Sequence, residues 1–432
     1  MIKDRDLVAA LPGHLAAQRW FGAKDRELGT VEIVHTEVLR AGWPALVRVE
    51  VLAAGDRYQL LLGLRPVGEW EDVGRAGVGE LATTAGPAFC YDALIDVELG
   101  LVLLGLVAPD LASSVESVRP ILAEQSNTSL VYDERFILKV FRRLDGANPD
   151  VEVSSALADV GFAHVAEPMA IWRSTTGEDL GLLQRFMRGG AEGWALALTS
   201  LRDFYADGGA PGEAGGDFSP EAGRLGQITG ELHLSLAEAF GPEPGDAVGW
   251  AATVAKRISQ VHHPDLDQAA LAAVVERLAS VPDGGRAIRV HGDYHLGQVL
   301  RTDEGWVVVD FEGEPARPVD ERRGRTSPLR DVAGMLRSFD YASRVAASEH
   351  GGDVAALADA WASRNRAAFL GAYHEVVGGQ RLVPADPACF ADVLAAFELD
   401  KAVYEVGYEQ AHRPDWLPVA LAGVRRLLAD AP

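Results

Sequence analysis

The chain has 432 residues, enough for two or three domains with large cores. It carries 63 Asp+Glu against 40 Lys+Arg and no basic block, which argues against a nucleic-acid partner and leaves room for a cationic small molecule. The two cysteines, Cys90 and Cys389, are far apart without metal spacing, so both are expected as small core residues in a reducing cytoplasm.

The first residues, Met-Ile-Lys-Asp-Arg-Asp, lack the apolar core of a secretory signal. No window reaches the roughly 20 apolar residues of a membrane span, and the run 99–108 is too short. A cytoplasmic chain without membrane contact is expected. Residues 4–18 read as a short helix leading into Arg19-Trp-Phe-Gly22, with Trp20 and Phe21 expected as core anchors. Apolar residues then alternate over 31–39, 46–53 and 57–64, broken by Gly-Trp-Pro and Ala-Gly-Asp. That pattern is a β-meander. Segment 89–106 reads equally as helix or strand.

The pattern changes near residue 115. A strand over 118–122 is followed by the polar turn Gln125 to Ser129, then strands over 130–132 and 135–142. The second of these embeds Lys139 in an apolar run. A lysine there is costly to bury without an anion, and the phosphates of ATP would supply one. Ser126, Asn127, Thr128 and Ser129 would then offer hydroxyls and N–H groups to the same phosphates, or form an ordinary hairpin turn. A helix follows over 148–160 with acids in its first turn. Glu152 is the candidate partner of Lys139, or simply complements the helix dipole. A strand over 180–187 brings Arg185, Phe186 and Met187, candidates to offer backbone groups to adenine.

Helical spacing dominates from residue 189, with Leu225, Ile228, Leu232 and Leu236 on one face. His233 on that helix is expected in the core or behind the site. Two short apolar strands then end in acids: 288–290 runs into His291-Gly-Asp293, and 306–309 into Asp310-Phe-Glu312. Gln298 stands five residues after Asp293. Phosphoryl transfer needs one carboxylate to take the proton of the attacking hydroxyl. It also needs a second carboxylate and an amide to hold Mg²⁺ against the phosphates. Asp293, Asp310 and Gln298 supply that set. Asp331 reads as a brace beneath the loop. Late helices over 354–376 and 387–411 carry Glu405 and Glu409 on one face, followed by Arg413-Pro-Asp-Trp416.

These segments, with Ile137-Leu-Lys139, Glu192-Gly-Trp194 and Ser327-Pro-Leu-Arg-Asp-Val-Ala-Gly-Met-Leu-Arg-Ser-Phe339, resemble the bacterial maltokinase group and its sister, the actinobacterial glucosamine kinases. Both belong to the aminoglycoside phosphotransferase branch of the protein-kinase-like superfamily. The resemblance implies an α+β, bilobal fold with an N-terminal mainly-β cap (1–112), a small ATP-binding lobe (113–190) and a mainly helical C-terminal lobe (191–432). It implies Asp293 as base, Lys139 on the phosphates, and Gln298, Asp310 and Glu312 as metal ligands for Mg²⁺. The sugar site it implies comprises Asp293, His295, Asp340, Tyr341, Glu405, Glu409 and Trp416, in a monomer using ATP and a sugar. Maltokinases make maltose 1-phosphate and the sister group glucosamine 6-phosphate. The acids of the pocket favour the aminosugar, as does Tyr294, whose bulk beside the base is expected to narrow the pocket to one ring. A catalytically silent relative, binding ligands without turnover, is the distant alternative, because base, metal ligands and lysine are all present.

Overall fold

The computed structural model describes residues 4–22, 28–68, 73–121, 126–210, 212, 216–314, 317–351 and 353–430. The chain divides into two compact units, Met1–Glu152 with Ala166–Arg188, and Val153–Val165 with Gly189–Pro432.

The first unit holds two five-stranded antiparallel sheets. In the first, the strands run in the order Glu32–Arg40, Ala45–Ala53, Asp56–Pro66, Gly86–Asp92, Gly77–Thr83. This is the expected meander with a further hairpin. Its two central strands are buried on both faces. Val47, Val49, Leu60 and Leu62 point to one core, with Trp20, Phe21 and the helix Asp4–Ala17. Leu46, Leu61 and Tyr91 point to the other, with the helix Val97–Val107. The ambiguous apolar segment is therefore both things in turn. It is strand to Asp92 and helix from Val97, with the Asp96 carboxylate accepting from the N–H groups of Glu98 and Leu99 at the helix start. Gly63 is required by close approach, since a Cβ there would lie 2.5 Å from the Tyr91 ring.

The second sheet orders Val118–Ile121, Asn127–Tyr132, Phe136–Phe141, Asp179–Arg185, Pro168–Arg173. It shares a compact unit with the first sheet. A set of polar contacts joins them. Gln59 Nε2 donates to the carbonyls of Phe141 and Leu180, both at 3.0 Å. Arg57 donates two bonds to Glu178, at 2.9 and 2.7 Å. Arg142, 1 % exposed, pairs with Asp92 and lies 4.7 Å from the Trp20 ring centroid. Buried groups of this kind are costly when unpaired. Cys90 is fully buried as expected, whereas Cys389 is only partly buried in the first turn of a helix.

The second unit is mainly helical. Its core gathers Leu225, Leu232 and Leu236 of Ser219–Phe240, Val332, Met335, Leu336 and Phe339 of Leu329–His350, and Trp361 and Phe369 of Ala355–Val377. The i, i+3, i+4, i+7 spacing of 332, 335, 336 and 339 is that of a core-facing helix. Pro328 stands at the N-cap of that helix. The elements outside the expected set include the strand Val299–Thr302, which pairs with Gly305–Val308, and the helix Leu417–Asp430.

Candidate active site

The strand Arg286–Arg289 delivers His291-Gly292-Asp293. Asp331 braces this turn from the first turn of its helix, accepting the His291 N–H at 2.7 Å and the Gly292 N–H at 2.9 Å. Gly292 has φ +84°, a conformation in which glycine is unstrained. Behind Asp331, His233 Nε2 lies 3.3 Å from its Oδ2, and His233 Nδ1 lies 2.9 Å from the Tyr373 hydroxyl. Burial works against a charge on Asp331, but His233 and the backbone donors win and hold its pKa below the usual carboxylate range. His233 is thus a buried histidine behind the site, as expected.

Asp293 Oδ1 forms an ion pair with Lys401 at 3.0 Å, and Oδ2 lies 3.8 Å from His295 Nε2. Burial raises the pKa of Asp293, but Lys401, then His295, outweigh it and depress it well below normal. His295 is shifted down, chiefly by burial. Lys401 is the residue that sequence reasoning missed. The only trace was a lysine four positions before Glu405 on a helix with buried faces.

Gln298 Nε2 donates to Asp310 Oδ2 at 3.1 Å, so the two expected metal ligands are neighbours. Asp310 follows the strand Gly305–Val308 by two residues and has φ +67°. Non-glycine residues in that region are strained and concentrate at functional sites. Glu312 is partly buried two residues on. A carboxylate beside an amide whose oxygen comes round by a half-turn is a hard-oxygen donor set, and it fits Mg²⁺.

In the first unit, Lys139 lies in Phe136–Phe141, and its Nζ is 3.0 Å from Asp150 Oδ2. Asp150 therefore brings a carboxylate to the lysine, and Glu152, the candidate from the sequence, lies in the same first turn of the helix Pro149–Asp159. The polar turn also needs correction. Gln125 lies outside the described residues, and Asn127, Thr128 and Ser129 belong to the strand Asn127–Tyr132. Asn127 and Ser129 are buried, and Thr128 Oγ1 accepts from Arg142 Nε at 2.9 Å. Ser126 alone of the four is exposed. Of the three hinge candidates, the Arg185 N–H goes to the Glu167 carbonyl at 2.9 Å and the Phe186 N–H to the Arg135 carbonyl at 2.8 Å. Those two donors are engaged inside the unit, which leaves Met187 as the better candidate.

The expected sugar-facing acids are already paired. Asp340 is 3 % exposed, with Arg337, Arg366 and Arg426 at 3.4, 3.1 and 2.6 Å. Asp340, expected to face the sugar, is thus held in an ion-pair cluster. Glu405 pairs with Arg337 at 2.6 Å. Glu409 accepts from the Tyr341 hydroxyl at 2.6 Å and from Arg413 at 2.7 Å, both through Oε1. Its Oε2 is buried without a hydrogen-bond partner among the described residues. Trp416 stacks on Tyr341 with ring centroids 5.8 Å apart. The Tyr294 ring is directed into the core. The residue is 2 % exposed, and its hydroxyl is 3.0 Å from Thr229 Oγ1.

Residues 117–376 match the phosphotransferase enzyme family, and residues 14–96 match the maltokinase N-terminal cap domain. The chain belongs to the phosphotransferase enzyme family, with the α+β, protein-kinase-like fold of that family. It is an ATP-dependent phosphotransferase with an alcohol group as acceptor. Among curated proteins it is 29 % identical over 338 residues to the glucosamine kinase of Streptacidiphilus jiangxiensis, covering 74 % of this chain and 75 % of that one. It is 28 % identical over 334 residues to the glucosamine kinase of Mycolicibacterium smegmatis, covering 72 % and 80 %. A solved glucosamine kinase in complex with glucosamine, ADP and inorganic phosphate superposes with TM-score 0.70 over 99 % of this chain and 100 % of that one, at 23 % identity. That likeness is one of fold. No helix among the described residues is long and apolar enough to cross a membrane.

Proposed function

We propose that the chain is a sugar kinase whose acceptor is glucosamine, with glucosamine 6-phosphate as product. Two curated relatives of similar length carry the name glucosamine kinase, which supports the sugar. The observation that carries the choice of an aminosugar is Glu409, 2 % exposed, with Oε1 engaged and Oε2 unpartnered. A buried carboxylate oxygen without a donor is costly. A protonated 2-amino group is a donor that removes the cost, and the stacked Tyr341 and Trp416 beside it offer a face to one sugar ring.

In this reading Asp293 Oδ2 accepts the proton of the sugar hydroxyl as that oxygen attacks the γ-phosphorus. Depressed basicity suits such a role in a loose transition state, where the proton moves late and positioning dominates. Lys139 faces the phosphates, held there by Asp150. Gln298 and Asp310, with Glu312, would hold Mg²⁺, which supplies charge neutralisation to the phosphates.

Maltose is the second reading, favoured by the match of residues 14–96 to a maltokinase cap domain. The deciding experiment is turnover of Mg-ATP with glucosamine, glucose and maltose. The proposal expects glucosamine to have the highest kcat/KM. Maltose in that place overturns the choice of acceptor.

A further inference from the structure

Lys401 stands on the helix Pro387–His412, 108 positions from Asp293 in sequence, with its Nζ 3.0 Å from Asp293 Oδ1. Positions 401, 405 and 409 are i, i+4 and i+8, so one face of this helix presents Lys401 to the catalytic loop and then Glu405 and Glu409. The ammonium also lies 5.1 Å from the Tyr404 ring centroid. Beside the pair is a small space of about 20 Å³, lined by Asp293, Lys401, Asp400, Glu314 and Arg257 among others. That is room for one water, and with the two side chains 24 % and 19 % exposed the pair acts more strongly than it would in bulk water.

The two carboxylate oxygens of Asp293 are consequently not equivalent. Oδ1 is held by Lys401 at 3.0 Å, and Oδ2 lies 3.8 Å from His295 Nε2, too far for a hydrogen bond. We propose that Lys401 is a positioning residue for phosphoryl transfer, holding Asp293 by Oδ1 so that Oδ2 is the oxygen presented to the acceptor hydroxyl. This rests on Asp293 as the base. The acceptor O–H breaks as its oxygen bonds to the γ-phosphorus, the bond to the β-phosphate oxygen breaks, and the proton passes to Oδ2 and then to solvent. Protonation cancels the charge that Lys401 attracts, so the same ion pair favours release of that proton before the next turnover.

A purely architectural lysine would anchor the helix and leave turnover alone. The test compares Lys401→Met, Lys401→Arg, Asp293→Asn and the Lys401→Met/Asp293→Asn double variant, by steady-state kinetics with Mg-ATP and the best sugar, together with thermal melting. Lys401→Met is expected to lower kcat by about 10–100-fold while both KM values stay within about 3-fold, and Lys401→Arg to recover part of the loss. The double variant is expected to be no slower than Asp293→Asn alone, because residues that act through one another are not additive. The double variant removes both charges, so it remains informative where Lys401→Met folds poorly. Near-normal kcat in Lys401→Met, or a double variant slowed by the product of the two single effects, overturns the proposal. Near-normal turnover in Asp293→Asn instead removes Asp293 as base, a separate failure that takes this inference with it.

Discussion

His291 Nε2 lies 3.0 Å from the carbonyl oxygen of Val309. One hydrogen bond thus ties the end of the strand that delivers Asp293 to the end of the strand that delivers Asp310. The His291 and Phe311 rings, 4.9 Å apart, pack across the same junction. The histidine of the His-Gly-Asp stretch therefore works as a buckle between two acid-ended strands.

Immediately after that buckle, Asp310 sits at φ +67°, where a residue with a Cβ is strained by about 1–3 kcal/mol. Glycine would relieve that strain and alanine would keep it. Asp310→Gly and Asp310→Ala should both lose activity, since each removes the carboxylate. Melting should nevertheless rank Asp310→Gly the more stable by about 1 kcal/mol, the reverse of their order in a helix. Equal stability, or alanine ahead, would mean the backbone there is relaxed.

Acid should act on stability in two stages. His14 and His295 are shifted below the ordinary histidine value, in both cases chiefly by burial. Such a group favours the folded chain only while neutral, so its contribution falls as pH drops through the unfolded value of about 6.5. Asp293 and Asp331 are shifted down despite burial, by Lys401 and by His233 respectively. Their contribution is complete above the unfolded value of about 3.9 and is lost as pH falls towards their folded values. The melting temperature should decline gently below about pH 6.5 and steeply below about pH 4. His14→Gln should flatten the upper stage. An unchanged upper stage in that variant would assign it elsewhere.

The elements were legible because apolar residues alternate in the strands and recur at helical spacing in the helices, and the candidate catalytic set could be proposed because its residues lie close in sequence at a fixed spacing. Pairings across long separations were not legible. Nothing in the pattern links Lys401 to Asp293, or surrounds Asp340 with Arg337, Arg366 and Arg426. Such contacts are made by tertiary packing of helices and leave no local periodicity. Nearer errors have nearer causes. Asn127 to Ser129 read as a turn because they are polar, yet the ladder opposite Phe141 to Lys139 takes them as strand. Tyr294 reads as facing a ligand because it adjoins Asp293, yet it lies in the irregular turn after Arg286–Arg289 and its hydroxyl is buried against Thr229 Oγ1.

The acceptor prediction concerns Glu409. Glu409→Gln keeps an oxygen to accept from Tyr341 and Arg413 and removes only the charge and one acceptor. If the ammonium of glucosamine meets Oε2, that sugar loses a charged partner at a site 2 % exposed to solvent. Losing one partner of a buried charged pair costs roughly 2–5 kcal/mol, whereas a neutral hydroxyl at the same place loses about 0.5–1.5 kcal/mol. The ratio of kcat/KM for glucosamine to that for glucose should therefore fall in the variant, by about 70-fold at the middle of those ranges. Arg413 provides the control. Arg413→Met takes away the cation 2.7 Å from Oε1 and leaves Glu409 more available to a ligand ammonium, so the same ratio should hold or rise. A fall of equal size for both sugars in Glu409→Gln would make Glu409 an ordinary hydroxyl acceptor, and the preference for an aminosugar would lose its physical basis.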